Sequence, residues 1–190
     1  ELFMVRAGRA ANRGLGPASQ ASPLPFAALV ARPEAQDPIV AHGPSFPRRA
    51  VLVGSWWLMR EVELANARVR DATFAGDVAT LRLPASKNDQ EARGTARSLR
   101  CICAAGAQAA CPFHLLRAQR DWAAAEASAA GLPPELAPLF PGLGATVPEK
   151  HAVTATIAAL AAALGEPLFE DTGAPRFTGH SMRVTGAVYL

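Results

Sequence analysis

Charged side chains are scarce here: Asp, Glu, Lys and Arg make up 18% of 190 residues, and no run of basic residues forms a tail. Any surface for nucleic acid must therefore be assembled by folding. The net charge of +3 and a pI near 9.1 permit such binding without demanding it. No apolar run approaches the roughly 20 residues that cross a bilayer. No signal-peptide pattern opens the chain. The expectation is an intracellular protein, nuclear if the source is eukaryotic, with no membrane partner. Cysteines number only three, and an odd count without a secretory signal argues against disulfides. There is one tyrosine, Tyr189, and no internal repeat. What the chain does have is 50% hydrophobic residues, enough to bury one ordinary core or slightly more. It starts at Glu1 and stops at Leu190 inside helical sequence, which reads as a piece of a longer product.

Prolines and glycines organise the first quarter. Pro17, Pro23, Pro25, Pro33, Pro38, Pro44 and Pro47, with Gly14, Gly16 and Gly43, exclude long helices from Arg9 to Pro47. A short helix at Phe26 to Ala31 fits between them. Val51 to Leu64 then reads as one mostly buried helix, apolar through Trp57 and polar from Arg60. Val69 to Phe74 and Val78 to Leu83 are short strand candidates around a turn at Ala75 to Asp77, and Ser98 to Ile102 supplies a third. A helix is predicted from Pro112 to about Ala130, ended by Gly131 and Pro133-Pro134. Another starts near Pro148, carries an apolar stripe of Val153, Ile157, Leu160 and Leu164, and stops at Gly165. The fold class is mainly α with a small antiparallel β-sheet (α+β).

All three cysteines and one histidine fall in Cys101-Ile-Cys103, then, after seven residues, Cys111-Pro-Phe-His114. Four soft ligands in two close pairs, one pair opening a helix, form a candidate tetrahedral zinc site. With four protein ligands such a zinc is structural and not catalytic. A buried trio of cysteines in a reducing compartment, or a partial disulfide, is the alternative.

Three further features lie far apart in the chain. His180 and Arg183 are spaced to share one face of a helix and to meet one anionic ligand, Arg as a fork and His as a donor. Arg60 and Glu63 share a face in the same way, and an ordinary ion pair between them is worth about 0.2–0.5 kcal/mol. Between the two pairs, Leu81 to Asp89 runs as a strand into a turn with Lys87 at its tip.

In chain order, Arg-x-x-Glu on a helix, Lys on a hairpin and Gly-His-x-x-Arg-x-x-Gly-Ala resemble the catalytic domain of the tyrosine recombinases, the phage-integrase family. Ser86-Lys87-Asn88-Asp89 and Thr178-Gly179-His180-Ser181-Met182-Arg183 are most similar to its eukaryotic mobile-element branch. The resemblance covers roughly Arg48 to the end. It implies a recombinase-core-like catalytic domain over 48–190, truncated at its C-terminus, behind a Pro-rich linker or remnant of a helical domain over 1–47. It implies double-stranded DNA as partner, a homo-oligomer on DNA in the full-length parent, and strand cleavage and rejoining through a 3′-phosphotyrosyl intermediate with no cofactor for catalysis. Arg60 and Arg183 would clamp the phosphate, Lys87 would act as general acid and His180 would donate to the phosphate or assist the nucleophile. Glu63 would orient Arg60 and His180. The family's nucleophilic tyrosine lies several helical turns beyond the His-x-x-Arg motif. Tyr189 is too near that motif, is expected to pack into the core, and leaves these 190 residues inactive in cleavage. The same residues admit two other readings: a DNA-binding relic without chemistry, or a zinc-stapled helical interaction module.

Overall fold

The computed structural model describes residues 21–83, 94–106 and 108–189. Among the described residues six α-helices and one three-stranded antiparallel sheet share a hydrophobic core, so the fold class is α+β. The helices are α1 (Phe26–Ala31), α2 (Pro47–Trp56), α3 (Glu61–Asn66), α4 (Pro112–Ala129), α5 (Lys150–Ala163) and α6 (Ser181–Tyr189). The strands are β1 (Ala72–Ala75), β2 (Val78–Leu83) and β3 (Thr95–Arg100), in the order β1-β2-β3. No helix among the described residues is long and apolar enough to cross a membrane.

Helix α2 is the centre of the packing. Pro47 opens it at a position where the missing N–H is harmless, and Ala50 to Ser55 are all buried. Helices α4, α5 and α6 pack around it. Two glycines let α6 come close. A Cβ on Gly54 would collide with the Met182 sulfur, and one on Gly186 would collide with the Ser55 carbonyl oxygen. Gly186, which with Ala187 closes the His-x-x-Arg motif, thus has a packing role of its own.

The single helix expected over Val51 to Leu64 is two helices. Leu58 takes a left-handed conformation, φ 50°, which a leucine adopts only at an energetic cost. The turn is closed by Met59 N–H to the Gly54 carbonyl at 2.7 Å and Leu58 N–H to the Ser55 carbonyl at 3.1 Å. Arg60 then stands in extended conformation as the cap of α3, φ −89° and ψ 162°. No glycine or proline marks this break, so local sequence concealed it.

Strand register follows the alternation of side chains. Ala79, Leu81 and Leu83 are buried, and across the ladder they face Leu99, Arg97 and Thr95. Strand β3 therefore turns an arginine toward the core side of the sheet. The third strand runs Thr95–Arg100, earlier than the Ser98 to Ile102 expected. Val69–Asp71 is a 3₁₀ turn and not strand.

The described part of the segment expected as linker, residues 21–47, packs against the common core. Residues 1–20 lie outside the described residues, but Leu24 and Leu29 are wholly buried in the common core. The Leu24 N–H donates to the Thr185 hydroxyl on α6 at 2.8 Å, and Glu34 pairs with Arg48 and Arg49 on α2. Tyr189 also differs from expectation. It is 51% exposed and stacks on Phe26 with ring centroids 6.5 Å apart.

Because the Ser55 carbonyl cannot move without disturbing α2, Gly186→Ala should destabilise the protein by about 1–3 kcal/mol. Thermal melts followed by circular dichroism measure this. A variant melting with the wild type would contradict the close approach of α2 and α6.

Candidate functional site

The break after α2 gathers residues from three parts of the chain. Glu63, one turn into α3 and 3% exposed, accepts the Arg60 backbone N–H on Oε2 at 2.8 Å. The same carboxylate receives the Arg183 guanidinium, Nη2 lying 3.1 Å from Oε2 and 3.3 Å from Oε1. Arg183 Nε donates to the Leu58 carbonyl at 2.8 Å. The backbone joins the two segments as well, since Glu61 N–H donates to the Gly179 carbonyl at 3.2 Å. A Cβ on Gly179 would meet the Glu61 side chain, which would have to shift.

Thr178 and Ser181 shape the start of α6. The Thr178 hydroxyl accepts the His180 N–H at 3.2 Å, and the Ser181 hydroxyl accepts the Thr178 N–H at 3.0 Å. The His180 carbonyl accepts the Val184 N–H at 3.1 Å. His180 therefore stands at the N-terminal end of α6, exposed, one turn before Arg183.

Three of the expected residues are thus joined through Glu63 and the backbone. Glu63 serves differently from expectation: it holds the Arg60 backbone and the Arg183 side chain, not the Arg60 and His180 side chains. The helical Arg60–Glu63 ion pair does not form, because Arg60 is a cap. Its guanidinium makes no hydrogen bond or ion pair with any described residue, and its Nε is buried without a partner. Lys87 belongs to the connection between β2 and β3 and lies outside the described residues.

Arg97 was not foreseen as part of this site. From the core side of β3 its Nη1 donates to the Leu58 carbonyl at 3.2 Å and to the Trp57 carbonyl. The Trp57 indole returns a bond to the Arg97 carbonyl at 2.9 Å. Burial, and then the nearby charge of Arg183, lower the Arg97 pKa, while Glu63 acts in the opposite sense. Arg97 and Arg183 thus share the Leu58 carbonyl, but of the two only Arg183 bonds Glu63, whose other partner is the backbone of Arg60, so the Arg97 charge has no bonded carboxylate among the described residues. That excess of positive charge suits an anion. The one signal in the sequence was an arginine at an inward-facing strand position, which only the true register of β3 reveals.

The second cluster follows β3. Cys101, Cys103, Cys111 and His114 offer ligand atoms all within 4.8 Å of one another. His114 Nδ1 lies 3.2 Å from the Cys103 sulfur, 3.3 Å from that of Cys111 and 3.9 Å from that of Cys101. The Cys101 and Cys111 sulfurs are 3.7 Å apart. With Zn–S bonds near 2.3 Å, a tetrahedral site has ligand–ligand edges of about 3.8 Å. The four side chains are thus close enough to hold a metal ion. They come together because Cys101 leaves β3, Cys103 starts a 3₁₀ turn and Cys111 caps α4, whose first turn carries His114. Burial alone would raise the Cys111 pKa, but hydrogen bonds from His114 and the Ile102 N–H outweigh it and hold it down to about 6. Desolvation, then the other two cysteines, push Cys103 up to about 12. The Trp56 indole N–H donates to the Ala110 carbonyl at 2.8 Å, fastening this loop to the end of α2.

No protein-family model matches the chain, and a search of curated proteins finds no match.

Two outcomes follow from this geometry. Glu63→Gln keeps the shape but removes the charge that faces Arg183, which is 31% exposed on its side chain. After discounting for that exposure the cost should be about 1–3 kcal/mol, measurable by urea unfolding. The protein should also bind one zinc ion per chain, and Cys111→Ser should abolish binding. Since thiols must lose protons to coordinate, zinc affinity should rise with pH and fall as acid is added. Metal analysis after dialysis at several pH values measures this; zinc-free protein at neutral pH would contradict it.

Proposed function

We propose that this chain is the phosphate-holding part of a DNA strand transferase of the tyrosine-recombinase type, acting on double-stranded DNA. The observation that carries the reading is the Glu63 carboxylate, which binds both the Arg60 backbone and the Arg183 guanidinium across 120 residues. Two motifs that matter together in the resembling family are thereby tied to one point. The guanidinium of Arg60, without a hydrogen-bond or ion-pair partner among the described residues, is the group assigned to a ligand oxygen.

The chemistry asks for what this arrangement offers. A tyrosine oxygen attacks phosphorus, the bond to the 5′-oxygen breaks, and a 3′-phosphotyrosyl linkage forms. The tyrosine proton is lost, and the departing 5′-oxygen gains one. Arg60 and Arg183 hold the non-bridging oxygens, where negative charge grows. Lys87 supplies the proton to the leaving oxygen, and His180 donates to the phosphate or assists the nucleophile. The energy of the broken ester is kept in the tyrosyl linkage, so rejoining needs no nucleotide hydrolysis. Tyr189 is not the attacking group: six residues beyond Arg183 it is displaced by about 9 Å along the helix axis, and its ring stacks on Phe26. The nucleophile in this reading is a tyrosine other than Tyr189, and the active form is a homo-oligomer on DNA, nuclear if the source is eukaryotic. The Cys101, Cys103, Cys111 and His114 cluster holds a structural zinc, all four positions being taken by protein.

The test is duplex binding. These 190 residues should bind DNA weakly, with little sequence preference, through the phosphates. Affinity should fall steeply with salt. Arg183→Ala should weaken binding and lower the log–log salt slope by about 0.9 for each phosphate no longer neutralised. Fluorescence anisotropy at several salt concentrations measures both. Binding indifferent to salt, or unchanged when Arg60 and Arg183 are both replaced by alanine, would overturn the reading. No cleavage product should appear.

A further inference from the structure

We infer that Arg97 is a positioning residue of the phosphate site, holding the Trp57–Leu58 corner so that the Leu58 carbonyl presents itself to Arg183. This rests on the reading of Arg183 as a phosphate ligand, and assigns a role that neither the motif order nor the resemblance contains.

The argument begins with cost. Arg97 projects from the core side of β3, opposite Leu81, where strand alternation calls for an apolar side chain. Partial burial opposes its charge, and so does the neighbouring Arg183. A lysine or arginine on the outer face of the strand would escape both penalties. Something must offset them, and the hydrogen bonds show what. Arg97 Nη1 takes the carbonyls of Trp57 and Leu58, two acceptors that the end of α2 leaves without a helical donor. Leu58 has a positive φ, so its peptide has an easier orientation to relax into.

The Leu58 carbonyl is also the acceptor for Arg183 Nε at 2.8 Å. Arg183 is fixed at two points, Glu63 and Leu58, and a planar guanidinium held at two points has its remaining N–H directions set. Removing Arg97 frees the Leu58 peptide to turn. Arg183 would then keep its bonds to Glu63 without the second anchor. The like charges of Arg97 and Arg183 are kept together by Glu63 and by the carbonyl they share.

Four proteins test this: wild type, Arg97→Gln, Arg183→Ala and the double variant, with Arg97→Lys as a fifth that keeps charge and donor. Duplex DNA affinity is measured across salt concentrations, and protection of the Arg183 Nε–H from solvent exchange is read by NMR. Arg97→Gln should weaken duplex binding about ten-fold, within the range reached by coupled neighbours. Its salt slope should be unchanged, because every phosphate ligand is still present. In the Arg183→Ala background the same change should have no further effect. Exchange at Arg183 Nε–H should quicken in Arg97→Gln and be restored in Arg97→Lys. Additive losses, a reduced salt slope in Arg97→Gln, or unaltered exchange would each overturn the positioning role. If Arg97→Gln fails to fold, Arg97→Lys carries the exchange measurement, and exchange faster than wild type there would also overturn it. Absent duplex binding by the wild type, with exchange responding as stated, would refute the phosphate reading and leave the positioning intact.

Discussion

A carboxylate buried to 3% exposure is tolerable only with partners, and Glu63 finds them in the Arg60 backbone amide and the Arg183 guanidinium. Much of the site depends on that constraint. The carboxylate sits one turn inside a six-residue helix, too short to be stable alone. Capping by Glu63 and packing of Leu64 secure the helix, and the helix in turn carries Glu63 to Arg183. A buried pair of this kind contributes little net stability compared with an apolar substitute, but losing one partner is costly. Its value here is geometric: it fixes where two distant segments meet.

The corner between α2 and α3 serves the same end. Leu58 carries a backbone strain that its neighbours over-determine, through Met59, Arg183 and Arg97. Close packing of α6 on α2, made possible by Gly54 and Gly186, brings Arg183 within reach of that corner. Neither the Arg60 nor the Arg97 guanidinium is bonded to a carboxylate among the described residues, and folding energy alone does not favour such unpaired charge. It fits the proposed role of holding an anionic group.

The cysteine cluster stands on different physics. Its four side chains are near one another in sequence, so the end of a strand, two short turns and the first turn of a helix suffice to gather them. Such a cluster can brace a loop that contributes little apolar surface. Through the Trp56 indole and the Ala110 carbonyl it also braces the end of α2, the helix from which the Leu58 corner departs.

Local pattern accounts for much of the architecture. The short helix at Phe26, the β1–β2 hairpin, α4 ended near Gly131 and α5 stopped by Gly165 follow from turn residues and apolar spacing, which act over a few neighbours. So does the gathering of Cys101, Cys103, Cys111 and His114, because strand end and helix start lie close along the chain. The break at Leu58 was not legible, since no glycine or proline marks it and long-range bonds from Arg97 and Arg183 maintain it. The inward position of Arg97 was hidden for a related reason: the residue lies before the strand expected over Ser98 to Ile102, and its face is set by pairing with Leu81 on the neighbouring strand. Local order along the chain dictates which elements form and which residue types could hold a metal or an anion. Packing in three dimensions was needed to make Glu63 hold Arg183, Arg60 cap a helix and Arg97 join them, because the bonds that fix Arg97 and Arg183 at the Leu58 corner span 39 and 125 residues.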